Sequence, residues 1–264
     1  MNAFLQKAAN FYDRFHKRKQ NRKAELFMAK YIKKNNLQEL LNSVNSLTTS
    51  TGTDLYDYVS LHSYITKHQP HYILECGTGK STWIIADALK KNKENFGIIG
   101  KVISMESVEQ WYNEAKAILP ERFGEQVEIH YSPATTYMYY FIRGTVYSKV
   151  PDYPYDMIFV DGPELDVTEN GISHEGVNLD LIKYIQTTTS DKRVTALVDA
   201  RLRTCIAYGN IFGLNKVKFL KPWNLGIVEN INKDDLLLGC YGIKLTNLLK
   251  QNCNLRYDSL PWTG

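Results

Sequence analysis

The stretch Tyr72-Ile73-Leu74-Glu75-Cys76-Gly77-Thr78-Gly79-Lys80-Ser81-Thr82 decides the fold. Its first half is an apolar run closed by an acid, and its second half is a Gly-x-Gly turn that opens a helical pattern over 81–92. Glycine suits such a turn because the chain must bend sharply and a ligand must reach the backbone without meeting a Cβ. Downstream, Ile- and Val-rich runs at 102–106, 127–131, 155–161 and 194–199 alternate with amphipathic stretches at 108–119 and 174–187. That alternation predicts an α/β domain, doubly wound, with a mostly parallel sheet covered on both faces. Past Arg201 the pattern predicts one more helix and two late strands, at 216–221 and 236–243, forming an antiparallel pair at a sheet edge.

Upstream of the glycine turn the character differs. Phe4, Phe11, Phe15, Leu26, Met28, Ile32, Leu37, Leu40, Leu41 and Val44 recur at helical spacing with no Pro or Gly between them, which predicts helix over 3–46. The Ser-Thr-Gly run over 46–53 reads as a loop, so the chain divides into an N-terminal helical extension (1–50) and a main α/β domain (51–264). Residues 1–34 hold ten Lys or Arg against Asp13 and Glu25, whereas the whole chain has a net charge of only +4. The basic run from Arg14 to Lys23 makes nucleic acid or an anionic surface a partner to consider, although a solvated helix face explains it as well.

Composition narrows the remaining classes. With 264 residues, 44% hydrophobic and 23% charged, the chain has material for a large core without metals or disulfides. No window approaches the ~18 apolar residues of a membrane span, and the first ten residues lack the apolar core of a secretory signal. These features predict a soluble, cytoplasmic protein without membrane insertion. Cys76, Cys205, Cys240 and Cys253 show no zinc-ligand spacing and read as free thiols.

Three ligands commonly sit on a strand-turn-helix of this kind. A triphosphate loop requires Gly five residues before Gly79, where Leu74 stands inside the strand. A dinucleotide fingerprint requires a third Gly where Thr82 stands. The third arrangement fits better: Glu75 lies two before the first glycine, and Glu106 closes the next strand. These motifs, in this order over residues 70–200, resemble the class I, Rossmann-like S-adenosylmethionine-dependent methyltransferases. The resemblance implies S-adenosylmethionine as cofactor, held by Glu75, Gly77, Thr78, Gly79 and Ser81 at its amino-acid end. It implies that Glu106, followed by Ser107, takes the ribose diol, two acceptor oxygens meeting two hydroxyl donors. In place of the acid and small residue that often meet the adenine after the third strand, this chain has Ser132-Pro133-Ala134, and Ala134 is assigned that contact.

Asp161 follows a wholly apolar strand and so falls at the carboxyl edge, where ligands of open α/β sheets bind. The resemblance implies that it faces the methionine end and the acceptor, in a catalytic or positioning role. Asp199 ends the next strand. If the two strands are neighbours, Asp161 and Asp199 could share Mg2+, as in some small-molecule O-methyltransferases. The third ligand usual there, an Asn directly after the second acid, is Ala200 in this chain, and Arg201 paired to Asp199 is the alternative. Between them the loop 164–176 carries His174, a candidate general base because imidazole titrates near neutrality. The aromatic run 137–141 is expected to pack on the sheet as core, and Tyr58, His62 and Tyr64 are placed beside the cofactor.

The function expected is methyl transfer from S-adenosylmethionine to an oxygen of a small-molecule acceptor. Two alternatives stay open: a nucleotide- or NAD-dependent Rossmann enzyme, and a non-catalytic module of the same fold that binds a polyanion through its basic N-terminus.

Overall fold

The computed structural model describes residues 21–47, 55–164, 166–169, 172–236 and 262. Helix α1 (21–34) stops at a turn where Asn36 takes φ +53°, and α2 (Leu37–Leu47) starts in a new direction. The helical prefix is therefore broken at 35–36, and its first part, 3–20, together with the loop residues 48–54, lies outside the described residues. A third helix, α3 (Leu55–His68), leads into strand β1 (Tyr72–Cys76).

From β1 onward the chain alternates. Helix α4 (Lys80–Phe96), strand β2 (Lys101–Glu106), helix α5 (Glu109–Phe123) and strand β3 (Val127–Tyr131) follow in order. Gly97 stops α4 by taking φ +70°, which lets its N–H cap the carbonyls of Asn92 and Lys93. A hairpin, β4 (Ala134–Tyr139) and β5 (Ile142–Tyr147), then precedes β6 (Met157–Val160). A second hairpin, β7 (Asp166–Glu169) and β8 (Ile172–Glu175), is followed by α6 (Asp180–Thr187) and β9 (Val194–Asp199). Helix α7 (Leu202–Phe212) and the strands β10 (Val217–Leu220) and β11 (Leu225–Ile231) complete the described chain.

Seven strands form one sheet in the order β10-β11-β9-β6-β1-β2-β3. The ladders β6–β9, β6–β1, β1–β2 and β2–β3 are parallel, while β11 lies antiparallel between β10 and β9. The sheet is the doubly wound, Rossmann-like one expected. Side chains alternate across it: Ile73, Val102 and Met157 join the core on one face, and Leu74, Ile103 and Ile158 the core on the other. Leu37, Leu41 and Val44 of α2 and Ala24 and Met28 of α1 are buried in the first of these cores. Tyr31 of α1 is hydrogen-bonded to Nδ1 of the fully buried His62 at 2.9 Å, and the other ring nitrogen of His62 lies 3.2 Å from Asp87. The described helices of the prefix are thus built into the body of the fold.

Four expectations need correction. The second late strand is Leu225–Ile231; Leu236 is not in a strand, and 237–243 lie outside the described residues. Helix does not extend over 174–187, because its first residues belong to β8 and α6 starts only at Asp180. The aromatic run 137–141 is the end of a β-hairpin. Tyr139 is buried, but Met138, Tyr140 and Phe141 are exposed, since alternation along a strand sends neighbours to opposite sides. Tyr58, His62 and Tyr64 are buried in α3 beneath the sheet instead of facing a cleft.

Candidate active site

The site is built at the carboxyl edge of β1, β2, β6 and β9. Gly77, directly after β1, takes φ +111°, a conformation that strains any residue with a side chain. A Cβ on Gly77 would stand 3.2 Å from the Gly162 nitrogen and 3.3 Å from the Asp161 carbonyl carbon. The turns after β1 and β6 therefore touch backbone to backbone.

Glu75 lies fully buried under the glycine turn. Ser81 Oγ donates to its Oε1 at 2.6 Å, and Thr82 Oγ1 and Ser104 Oγ donate to its Oε2 at 2.7 and 2.6 Å. Burial raises its pKa from the ordinary 4.5 to about 7, with the three hydroxyls pulling the other way. The structure thus places Glu75 and Ser81 on the inside of the turn, where they brace β1, β2 and the start of α4. Thr78 sits on the rim; its Oγ1 is 2.8 Å from Ser104 Oγ and 3.2 Å from the Met105 carbonyl. Thr82 also steadies the helix start, accepting the Gly79 N–H at 3.1 Å. Lys80 donates to Asn45 of α2 at 3.1 Å and so turns away from the glycine loop, unlike the lysine of a phosphate-binding loop.

Glu106 ends β2 beside the turn, and Gly77 N–H reaches across to the Met105 carbonyl at 3.1 Å. Its Oε1 accepts the N–H groups of Ser107 at 2.7 Å and Val108 at 2.8 Å. Burial raises its pKa against the pull of these amides, and the charge of Glu164 raises it further. Glu164, on the segment after β6, is thus near enough to be felt at the end of β2. Ala134 stands exposed as the first residue of β4, two beyond Ser132, whose N–H donates to the Glu106 carbonyl at 2.8 Å.

Asp161 and Asp199 are brought together because β6 and β9 pair in register, Val160 against Val198. Burial together with the Asp199 charge pushes the pKa of Asp161 well above its ordinary value. Arg201 approaches Asp161, not Asp199: its Nη2 stands 3.6 Å from Oδ1 and donates to the Asp161 backbone carbonyl. This donor set does not fit a magnesium ion. A guanidinium sits beside Asp161, and Ala200 supplies no side-chain oxygen. Among the described residues no group of three His, Cys, Asp or Glu is placed to hold a metal. His174 falls in β8 opposite Val167, with its side chain outside what the structure describes.

Sequence reasoning missed Asn178 and Ser104. Asn178 is fully buried, and its Nδ2 donates to the carbonyls of Gly162 at 2.8 Å and Pro163 at 2.9 Å. Ser104 had a readable signal, a lone hydroxyl inside the apolar strand Lys101–Glu106, in register with Glu75. The hairpin β7–β8 had one too, the dipeptide Asn170-Gly171 between two short alternating runs.

Part of the chain is similar to known proteins. A family model described as a methyltransferase domain matches residues 74–181, from within β1 to the start of α6. The solved structures it resembles include a methyltransferase-like protein from Silicibacter pomeroyi. That pair is 17% identical with a TM-score of 0.39, over 68% of this chain and 87% of the other. A methyltransferase from Podospora anserina, solved bound to SAH (S-adenosylhomocysteine), is 16% identical with a TM-score of 0.37, over 66% of this chain and 64% of the other. A dimethyladenosine transferase from Plasmodium falciparum is 14% identical with a TM-score of 0.34, over 64% and 58%. No curated protein sequence matches the chain. The strand order is that of a doubly wound, Rossmann-like sheet, and within it residues 74–181, less than half of the chain, are similar to a methyltransferase domain.

Proposed function

We propose that the chain transfers a methyl group from S-adenosylmethionine to an oxygen of a small-molecule acceptor. The observation that carries this reading is the meeting of three features on one carboxyl edge: the tight Gly77 turn, the acid Glu106 and the neighbouring strand-end acids Asp161 and Asp199. The residues fit the cofactor: the Gly77 turn has no room for a Cβ and holds the backbone at the strand edge, and Glu106 places a carboxylate beside it for the ribose diol. S-adenosylmethionine supplies an electrophilic methyl group on a sulfonium. Thr78, Gly79 and Ser107 line the same edge, and Ala134 marks where the adenine would pass.

The protein's own contribution is alignment and proton handling. When the acceptor oxygen bonds to carbon it releases its proton, and Asp161, whose pKa burial and the Asp199 charge raise, is the carboxylate that takes it up. Arg201 holds the Asp161 backbone in place. His174 is the second candidate base, on the hairpin that follows β6. No step passes through a metal.

A cytoplasmic location accompanies this reading; Cys76 and Cys205 are unbridged and buried, in keeping with a reducing compartment. Among the described residues no helix is long and apolar enough to cross a membrane.

The test is calorimetric titration with S-adenosylmethionine and SAH, on the wild type and on Glu106→Ala. Binding to the wild type that Glu106→Ala weakens supports the assignment. Turnover is then sought with hydroxyl-bearing acceptors, with and without magnesium. No binding of either compound overturns the reading, and nucleotides and polyanions become the next ligands to try.

A further inference from the structure

Asn178 is engaged through its backbone and its Nδ2, while its Oδ1 is buried without a partner. Its backbone N–H meets Thr204 Oγ1 at 3.2 Å, its carbonyl accepts Tyr208 Oη–H at 2.8 Å, and its Nδ2 donates to two carbonyls of the turn after β6. The amide can sit only one way round, because a flip would press Oδ1 against both of those carbonyls.

The same segment is the seat of the β4–β5 hairpin. Thr145 N–H donates to the Val177 carbonyl at 2.9 Å, and Leu179 N–H returns to the Thr145 carbonyl at 2.9 Å. Packing is so close that a Cβ on Gly144 would fall 2.1 Å from the Val177 carbonyl oxygen. At the hairpin base, Tyr147 N–H is held by Asp180 Oδ1 at 2.8 Å. Gly162 is gripped between this hairpin and the cofactor turn. A Cβ there would stand 2.7 Å from Tyr147 Oη and 3.1 Å from Gly77 Cα.

We infer that Asn178 is a positioning residue of the site, fixing the Asp161-Gly162-Pro163 turn against Gly77 and tying that turn to the β4–β5 hairpin. The inference rests on the methyl-transfer reading for its functional consequence, but not for its geometry. Asn178 acts through backbone: with it in place, Gly162 closes on Gly77 and Asp161 faces the cleft. The hairpin, with the exposed tip residues Tyr140 and Phe141, is thereby connected through two hydrogen-bonded steps to the backbone that meets the cofactor.

The experiment compares Asn178→Asp, which removes both Nδ2 donors at constant shape, with Tyr208→Phe, which removes a bond to the same residue but leaves the clamp. Without ligand, amide exchange of Asp161 and Gly162 is expected to quicken roughly tenfold in Asn178→Asp and to stay unchanged in Tyr208→Phe. SAH affinity, corrected for folded fraction, is expected to fall roughly tenfold in the first variant only, since small misplacements at a site are costly. Equal behaviour of the two variants, or lower melting temperature in Asn178→Asp with unchanged exchange and affinity, overturns the inference. Should Asn178→Asp not fold, the wild type decides: SAH must slow exchange at Thr145 and Leu179 as well as at Gly77, and protection confined to the glycine turn overturns it. Failure of SAH to bind the wild type sinks the cofactor reading alone, because the ligand-free exchange comparison still judges the clamp.

Discussion

Arg201 Nη2 stands 3.6 Å from Asp161 Oδ1 while donating to the backbone carbonyl of the same residue. One guanidinium thus opposes the two influences, burial and the Asp199 charge, that raise the pKa of Asp161. Replacing Arg201 by Leu removes that opposition. The Asp161 carboxyl titration, followed by NMR on labelled aspartates, is expected to move to higher pH; a shift to lower pH would contradict the arrangement.

Glu75 holds its proton to about pH 7, whereas in the unfolded chain it ionises near 4.5. A carboxyl of this kind stabilises the fold fully below its unfolded value and loses that contribution as pH rises toward its folded one. Asp180, also fully enclosed and raised from 3.8 to about 7, acts with the same sign. Denaturant unfolding of the wild type should therefore show stability declining between about pH 4 and 7, by roughly 3 kcal/mol from Glu75 and roughly 4 kcal/mol from Asp180. Glu75→Gln should flatten that decline, and a variant with the wild-type slope would show that Glu75 is ionised in the fold.

Gly77→Ala places a Cβ 3.2 Å from the Gly162 nitrogen in a backbone held at φ +111°. The strain is worth about 1–3 kcal/mol, so thermal denaturation should register a lower melting temperature. SAH binding should weaken more than folding does, because the turn must open away from Gly162 to admit the methyl group. Gly97→Ala serves as the comparison. There φ is +70° but no atom lies within 4 Å of the added carbon, so strain without loss of ligand binding is expected.

Trp223 is fully buried, with Phe27 of α1 edge-on at 5.7 Å and Tyr56 of α3 at 5.5 Å. Truncation to Ala leaves a large void where the first helix docks, at a cost of about 3–5 kcal/mol. Limited proteolysis should then cut within 21–47 while the sheet core persists. Protection of that segment equal to the wild type would show that α1 is held by the Tyr31–His62–Asp87 chain alone.

Much of this fold was legible because parallel strands buried on both faces read as near-continuous apolar runs, as 72–76, 102–106 and 194–199 largely do, while the edge strand 127–131 alternates apolar and polar residues. The hairpins were not, since β4 and β5 carry mixed polar and aromatic residues whose spacing also suits a helix. Strand β11 was passed over because Gly226 and Asn230 interrupt an otherwise apolar run. Only the pairing with β9 and β10 makes that stretch a strand.

At the site, the sequence by itself determined which residues terminate strands: Glu106, Asp161 and Asp199 each follow an apolar run, and Gly77 follows β1. Strand ends are a local property of period and composition, so one chain suffices to locate them. What only the tertiary structure decided is which groups meet. Glu75 turned inward to three hydroxyls from α4 and β2, Arg201 went to Asp161 in place of Asp199, and Asn178 reached across to Gly162 from sixteen residues away. Those partners are chosen by strand order and by the packing of loops over the sheet edge, quantities to which no local sequence pattern responds.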